Sequence, residues 1–145
     1  MPTDFDDLLR MSESELEELF RESPAGEIRD GDADGRVLVA PGTGVSFVAA
    51  RILRAVAWQG KVFDRSKSEL KNKVGPLGLR AVRAKVYKEP SWFDGKETIV
   101  LDYSKTSLLA RRIRDEIREV SPGLYLGLVF WGRTKVALFA LKFGG

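Results

Sequence analysis

The chain has 145 residues, 43% of them hydrophobic and 31% charged, with a net charge of +3, which suits one folded domain and excludes wholesale disorder. It contains no cysteine and no histidine, so disulfides, thiolate and imidazole catalysis and the usual zinc and haem ligands are excluded. We therefore expect no metal site and no cofactor. Whether the protein is an enzyme stays open, because carboxylate, tyrosine, lysine, arginine and serine chemistry remains available.

The start of the chain is acidic, whereas the remainder is basic. Residues 1–22 carry a net charge of −6, and the rest carries +9. A secretory signal needs a basic start followed by an apolar stretch, and no run of about 18 apolar residues occurs for a spanning helix. A cytoplasmic location is therefore the prediction. A basic body favours anionic partners or docking of the acidic leader, although a charge-mixed solvated surface explains the same pattern.

A short amphipathic helix is predicted at residues 12–22. Ser12 and Glu15 have the spacing of a capping box, and Leu16 and Phe20 then recur at helical spacing. We interpret residues 1–30 as an acidic helical leader. The sequence does not show whether this leader is docked or free.

The next segments predict a turn, a strand and a second helix. Residues 30–35 alternate between Asp and small residues and predict a turn, and residues 36–40 predict a strand. Residues 45–57 place apolar side chains on one side of a helix and arginines on the other. This pattern favours a helix that faces the core over a helix that lies on a membrane surface.

Strands dominate the remainder of the chain. They are predicted at residues 60–63, 70–74, 79–88, 98–103, 123–131 and 135–143, with polar turns at 64–68, 89–96 and 132–134 and a short helix within 104–115. Short connections favour an antiparallel meander, and closure of a meander removes its exposed edges. We predict a single domain over residues 1–145 of the α+β class. Its body, residues 36–143, is a small, mainly antiparallel, lipocalin-like β-barrel with an N-terminal helix and one or two further short helices.

The segment Trp58-Gln59-Gly60-Lys61-Val62-Phe63 carries a resemblance to a known family. It is similar to the Trp-x-Gly-Lys-x-Phe core of small bacterial lipocalin-like (calycin-type) proteins of poorly known function, which are named for a Gly-x-Trp-x-Gly motif. The layout of residues 55–143 also resembles that family. The resemblance implies a barrel with an apolar cavity and no particular activity. Trp58 itself is expected to fill space at the closed end of the barrel.

Alternation along the predicted strands selects the candidate ligand-binding residues. The cavity wall is predicted from Phe63, Val82, Val86, Leu101 and Phe139, with Trp92 and Tyr103 near the mouth. Tyr103 shares a face with Leu101, so its hydroxyl is predicted to point inward. Tyr125 has the opposite parity to the leucines around it and is predicted to be exposed.

Arg114 is the predicted contact for an anionic group. If residues 111–119 are helical, Arg114 and Arg118 lie one turn apart on the same face. Two guanidinium groups on one face suit a carboxylate or a phosphate, which arginine binds through its planar fork.

These features favour a barrel that binds a small apolar or amphipathic molecule, with Arg114 available for an anionic end. An alternative is a cofactor-independent isomerase, cyclase or lyase on the same barrel, using Tyr103, Arg114 and either Asp102 or Glu116. A second alternative is a nucleic-acid-binding module, which the interleaving of basic and acidic residues disfavours. The sequence leaves the oligomeric state open.

Overall fold

The computed structural model describes residues 2–39, 60–74, 79–104 and 112–144. Within these ranges two helices precede eight strands, which form a closed barrel. The helices are α1 (Phe5–Leu9) and α2 (Glu13–Glu22). The strands are β1 (Gly31–Val39), β2 (Gly60–Asp64), β3 (Glu69–Val74), β4 (Leu79–Pro90), β5 (Glu97–Asp102), β6 (Ile113–Ser121), β7 (Leu124–Trp131) and β8 (Thr134–Phe143). The predicted α+β class, a small antiparallel barrel with an N-terminal helix and a second short helix, is confirmed.

Each strand pairs antiparallel with the next one, and β1 pairs with β8 to close the barrel. The turn predicted at residues 30–35 is wrong, because strand β1 begins at Gly31. The local preference of Asp and Gly for turns is overridden here, since the backbone of β1 finds partners on both sides, in β2 and β8. Closure leaves no free edge strand in the sheet.

The short helix predicted within residues 104–115 does not include residues 113–115. Ile113 begins β6, which pairs with β5 and β7. Residues 105–111 lie outside the described residues, as do Trp58 and the helix predicted at 45–57. The strands predicted at 60–63, 70–74, 79–88, 98–103, 123–131 and 135–143 are confirmed, with bounds that shift by at most two residues.

The inside of the barrel is a core to which all eight strands contribute. Gly127 is required there, because a Cβ atom at this position would lie 2.2 Å from Cζ of Phe139. Tyr125, which was predicted to be exposed, is only 1% exposed and points into this core. Its hydroxyl donates to the carbonyl oxygen of Glu27, because the chain before β1 crosses this end of the barrel. We call this end the leader end.

A second apolar layer lies between the helices and the outer face of the barrel. It contains Leu8, Leu16 and Phe20 from the helices and Leu124, Leu126, Leu128, Phe130, Leu138 and Ala140 from β7 and β8. Strand β7 is thus buried on both faces, which is why its leucines and Tyr125 are all inaccessible. The predicted capping box of Ser12 and Glu15 is present.

Charges reinforce the docking of the acidic leader on the barrel. Nζ of Lys135 lies 2.9 Å from a carboxylate oxygen of Glu13 and also contacts Glu17. In the part of the chain that the structure describes, no helix is long and apolar enough to cross a membrane.

Candidate functional site

Four polar side chains meet inside the barrel, close to the end opposite the leader. They are Lys61 of β2, Asn72 of β3, Tyr103 directly after β5, and Asp115 of β6. All four are buried, with exposed fractions of 3%, 6%, 3% and 4% respectively. We call these four residues the polar cluster. Since buried polar groups are costly in an apolar core, their convergence from three strands and the end of β5 requires an explanation.

The polar cluster is held together by short hydrogen bonds. Nζ of Lys61 donates to Oδ1 of Asn72 over 2.7 Å and to the hydroxyl of Tyr103 over 2.6 Å. It also lies 3.2 Å from Oδ2 of Asp115. Nδ2 of Asn72 donates to the Tyr103 hydroxyl over 2.8 Å, and that hydroxyl lies 3.5 Å from Oδ2 of Asp115.

The second carboxylate oxygen of Asp115 stands apart from this network. Oδ1 is buried and has no hydrogen-bond partner among the described residues. The residues opposite Asp115 on the neighbouring strands are Leu101 and Val129, both apolar. A buried acceptor without a partner costs about 1–3 kcal/mol, and more when it is charged. The cluster therefore offers one vacant acceptor position.

The electrostatics of the cluster follow from burial and from the ion pair. Burial lowers the pKa of Lys61, but the oxygens of Tyr103 and Asp115 outweigh burial, so this pKa lies above its ordinary value and the ammonium persists at neutral pH. Burial raises the pKa of Asp115, and Lys61 and Tyr103 offset only part of this rise. Burial likewise raises the pKa of the Tyr103 hydroxyl.

Apolar side chains surround the polar cluster. The structure brings Phe63, Val86, Leu101, Tyr103 and Phe139, all predicted from the sequence, into the one interior core. Val82, the remaining predicted wall residue, lies in β4, in a part of the strand whose side chains the structure does not describe.

Gly60 fixes the start of β2, next to Lys61. Its φ angle is +137°, and a Cβ atom would lie 2.1 Å from the carbonyl oxygen of Ala33. Only glycine fits there, because β1 approaches too closely for a side chain and because the φ angle is one that L residues rarely adopt. Lys61, the next residue, has the same parity as the interior Phe63 and is buried.

Arg114 and Trp92 lie outside the barrel, apart from the interior residues. Because β6 is a strand, Arg114 faces outward, where it donates to carboxylate oxygens of Glu89 and Glu116 and to the carbonyl oxygen of Pro90. Trp92 is 37% exposed and stacks between the guanidinium groups of Arg114 and Arg133. The chain itself supplies the carboxylates that Arg114 binds, so this geometry gives no support to its predicted role as an anion contact.

The predicted pairing of Arg114 with Arg118 on one helical turn is wrong, since both belong to a strand. Arg118 makes its own bidentate ion pair with Asp94, over 2.6 and 2.7 Å. Glu116 lies between the two arginines in sequence and accepts from Arg114. The outer face of β6 therefore carries alternating charges that are paired within the protein.

Sequence reasoning missed three of the four cluster residues, although their strand positions carry a signal. Lys61 has the same parity as Phe63, and Asn72 has the same parity as Leu70. Asp115 stands between Ile113 and Ile117 on one face of β6. In each case a polar residue occupies an inward position beside an apolar inward residue of the same strand.

A separate cleft of about 350 Å³ lies beside the β2–β3 hairpin, toward the leader end. It is lined by charged side chains, among them Asp30, Lys67, Glu69 and Arg83, and by none of the polar cluster. This cleft is an alternative location for a bound molecule.

The fold and the polar cluster define a small closed barrel with an ion pair inside an apolar core. A scan of family models and a search of curated proteins gave no match. The fold is similar to that of a crystal structure of a protein from Thermomonospora curvata, with a TM-score of 0.64 and 16% sequence identity. The similarity covers 93% of this chain and 89% of that one and, at this identity, shows the fold alone. The resemblance to lipocalin-like proteins stays a prediction.

Proposed function

We propose that the protein binds a small, largely apolar molecule inside the barrel, with a polar group of that molecule at the polar cluster. The observation that carries this proposal is the buried Oδ1 of Asp115, which has no partner among the described residues. A ligand atom that donates to Oδ1 would remove the cost of the vacant acceptor. The interior of an eight-stranded barrel is either filled by its own side chains or holds one small ligand, and this proposal requires the second arrangement.

A purely structural role explains the polar cluster less well. Buried ion pairs can often be replaced by apolar side chains of similar volume with no loss of stability, or with a gain. Stability alone therefore does not account for the presence of Lys61 and Asp115 in the interior. The surrounding side chains, such as Leu101 and Phe139, are of the apolar kind that lines most small-molecule sites.

The proposal is tested by titration with N-phenyl-1-naphthylamine, a neutral apolar fluorophore that brightens on leaving water. We expect one molecule to bind per chain. Leu101→Ala removes an interior contact and should weaken binding about three- to tenfold, which corresponds to the loss of roughly 1 kcal/mol of burial. Val100→Ala is the matched control, because Val100 is equally buried but has the opposite parity in β5.

Val100→Ala should leave the affinity unchanged, with both variants measured at a temperature where unfolding curves show them to be native. Absence of binding by the unmodified protein would contradict the proposal. Equal affinities of the two variants would also contradict it, since they would place the fluorophore outside the interior.

An isomerase on the same barrel is the second candidate. It is favoured by the raised pKa of Asp115, because a carboxyl group whose pKa lies closer to neutrality is a better proton carrier. Tyr103 would add a hydroxyl donor beside it. Chromatography of a bound compound before and after incubation distinguishes the two candidates, since an isomerase changes the compound and a binding protein returns it unaltered.

A further inference from the structure

We infer that the ligand group that meets Asp115 is a neutral hydrogen-bond donor, in the simplest case the hydroxyl of an alcohol or a phenol, and not a carboxylate or a phosphate. This inference rests on the proposed function and specifies its ligand class. It follows from two features of the polar cluster: which hydrogen-bonding position is vacant, and how the charges balance.

The vacant position is an acceptor. The Lys61 ammonium is directed at three oxygens, those of Asn72, Tyr103 and Asp115. The Tyr103 hydroxyl accepts from Lys61 and from Asn72. Oδ1 of Asp115 is the buried side-chain atom of the described residues that is left without a partner. An ionised carboxylate oxygen only accepts, so its complement is a group that carries a proton.

The charges of the polar cluster disfavour an anion. Among the described residues buried inside the barrel, Lys61 and Asp115 are the charged ones, and their charges cancel. Arg114 and Arg118 lie on the outer face and are paired with carboxylates of the protein. A ligand carboxylate at Oδ1 would therefore face a like charge, and the described residues buried in the interior include no second cation to compensate it.

A cation is disfavoured as well. Nζ of Lys61 lies 3.2 Å from Oδ2 of Asp115, so a positive group at Oδ1 would stand only a few ångströms from the ammonium. A hydroxyl avoids both repulsions. Its hydrogen bond to a carboxylate is charge-assisted, which makes it roughly twice as strong as a bond between neutral groups.

Three probes of similar shape test this inference by equilibrium dialysis: 2-naphthol, 2-fluoronaphthalene and 2-naphthoate. The fluoro compound closely matches the size of the phenol but has no O–H group, and naphthoate carries an anion. We expect the unmodified protein to bind 2-naphthol about ten- to a hundredfold more tightly than either of the others, as one charge-assisted hydrogen bond allows.

The variant Asp115→Asn tests whether Asp115 is the residue that recognises the hydroxyl group. Lys61 holds the amide oxygen toward itself, so the NH2 group takes the place of Oδ1 and the preference for 2-naphthol over 2-fluoronaphthalene should fall to about threefold or less. Asp102→Asn is the control, because this neighbouring carboxylate faces outward and accepts from Tyr87. It should keep the full preference.

The outcomes distinguish a failure of hydroxyl recognition from a failure of interior binding. If 2-naphthol and 2-fluoronaphthalene bind the unmodified protein equally, or if 2-naphthoate binds most tightly, hydroxyl recognition is wrong while interior binding stands. If none of the three binds, the proposed function fails and the inference fails with it. The comparison of the three probes uses the unmodified protein, so it decides the inference even where Asp115→Asn does not fold.

Discussion

Replacement of Lys61 by methionine is expected to lower the free energy of unfolding by about 3–5 kcal/mol at neutral pH, the usual cost of breaking a buried ion pair from one side. Methionine has a similar length but provides no charge, so the carboxyl group of Asp115 would remain in an apolar core without its cation. Asn72 and Tyr103 would also lose the ammonium that donates to both of them.

The cost of Lys61→Met should depend on pH. The folded pKa of Asp115 lies above its ordinary value, so the contribution of this group to stability is fully present at low pH and is lost as the pH rises through the folded pKa. Removal of Lys61 takes away a charge that holds this pKa down. The folded pKa should therefore rise further, and the destabilisation should be smaller at about pH 4 than at about pH 7.5.

Urea unfolding of the two proteins at both pH values measures this difference. Lys85→Met is the control, because Lys85 is exposed in β4, and it should change the stability by less than about 0.5 kcal/mol. The double variant Lys61→Met/Asp115→Leu should recover most of the lost stability, since it removes both charges. An equal cost at both pH values would show that Asp115 is not the group left unpaired.

Arg118→Met is expected to be similarly costly, about 3–5 kcal/mol, although it acts on the outside of the barrel. Arg118 is 1% exposed and holds the turn between β4 and β5 through Asp94 and through the carbonyl oxygens of Lys96 and Glu97. It also donates to the carbonyl oxygen of Phe20 in α2 and stacks on the Phe20 ring. Its loss leaves one carboxylate and three carbonyl groups without this donor.

The contact with Phe20 gives Arg118→Met a second readout. Because Arg118 joins α2 to the barrel, the variant should become sensitive to proteolytic cleavage within residues 2–30 before the barrel itself unfolds. Arg133→Met is the control, since Arg133 is exposed and stacks on the exposed Trp92, and it should cost less than about 1 kcal/mol. A cost for Arg118→Met as small as that of the control would mean that the outer charges of β6 do not hold the leader.

The barrel was predictable from the sequence because its strands are short, alternate in polarity and are joined by turns with clear signals. The hairpin over 124–143, with its turn at Gly132, is an example. The sequence predicts this strand only at residues 36–40, because the first half of β1 is rich in Asp and Gly. In the structure, pairing with β2 and β8 holds that first half in the sheet. Those bonds join residues far apart in sequence, which local patterns do not report.

The interior wall was predictable for the same reason, whereas the polar cluster was not. Phe63, Leu101 and Phe139 are apolar at inward positions, so parity alone selects them. Lys61 and Asp115 have charged side chains, which normally face solvent. Only their positions in the alternation of β2 and β6 indicate that they point into the barrel. For Asp115 the parity itself was hidden, because the charged run from 111 to 119 resembles a solvated helix.

The same charged run conceals the partners of Arg114. Arginine, glutamate and arginine at positions 114, 116 and 118 are buried on the outer face because the turn between β4 and β5 and helix α2 cover them. Apart from the contact between Arg114 and Glu116, their partners lie 21 to 25 residues away in the chain or belong to helix α2. Only the tertiary structure shows that their charges are already matched.

A crystal structure of the protein with 2-naphthol would test the interior site most directly. We expect the naphthalene rings inside the barrel, against Leu101 and Phe139, and the phenol oxygen about 2.5–2.7 Å from Oδ1 of Asp115, the length of a hydroxyl bond to a carboxylate. Rings found in the cleft beside the β2–β3 hairpin or stacked on Trp92, with the interior unchanged, would contradict a ligand site within the barrel.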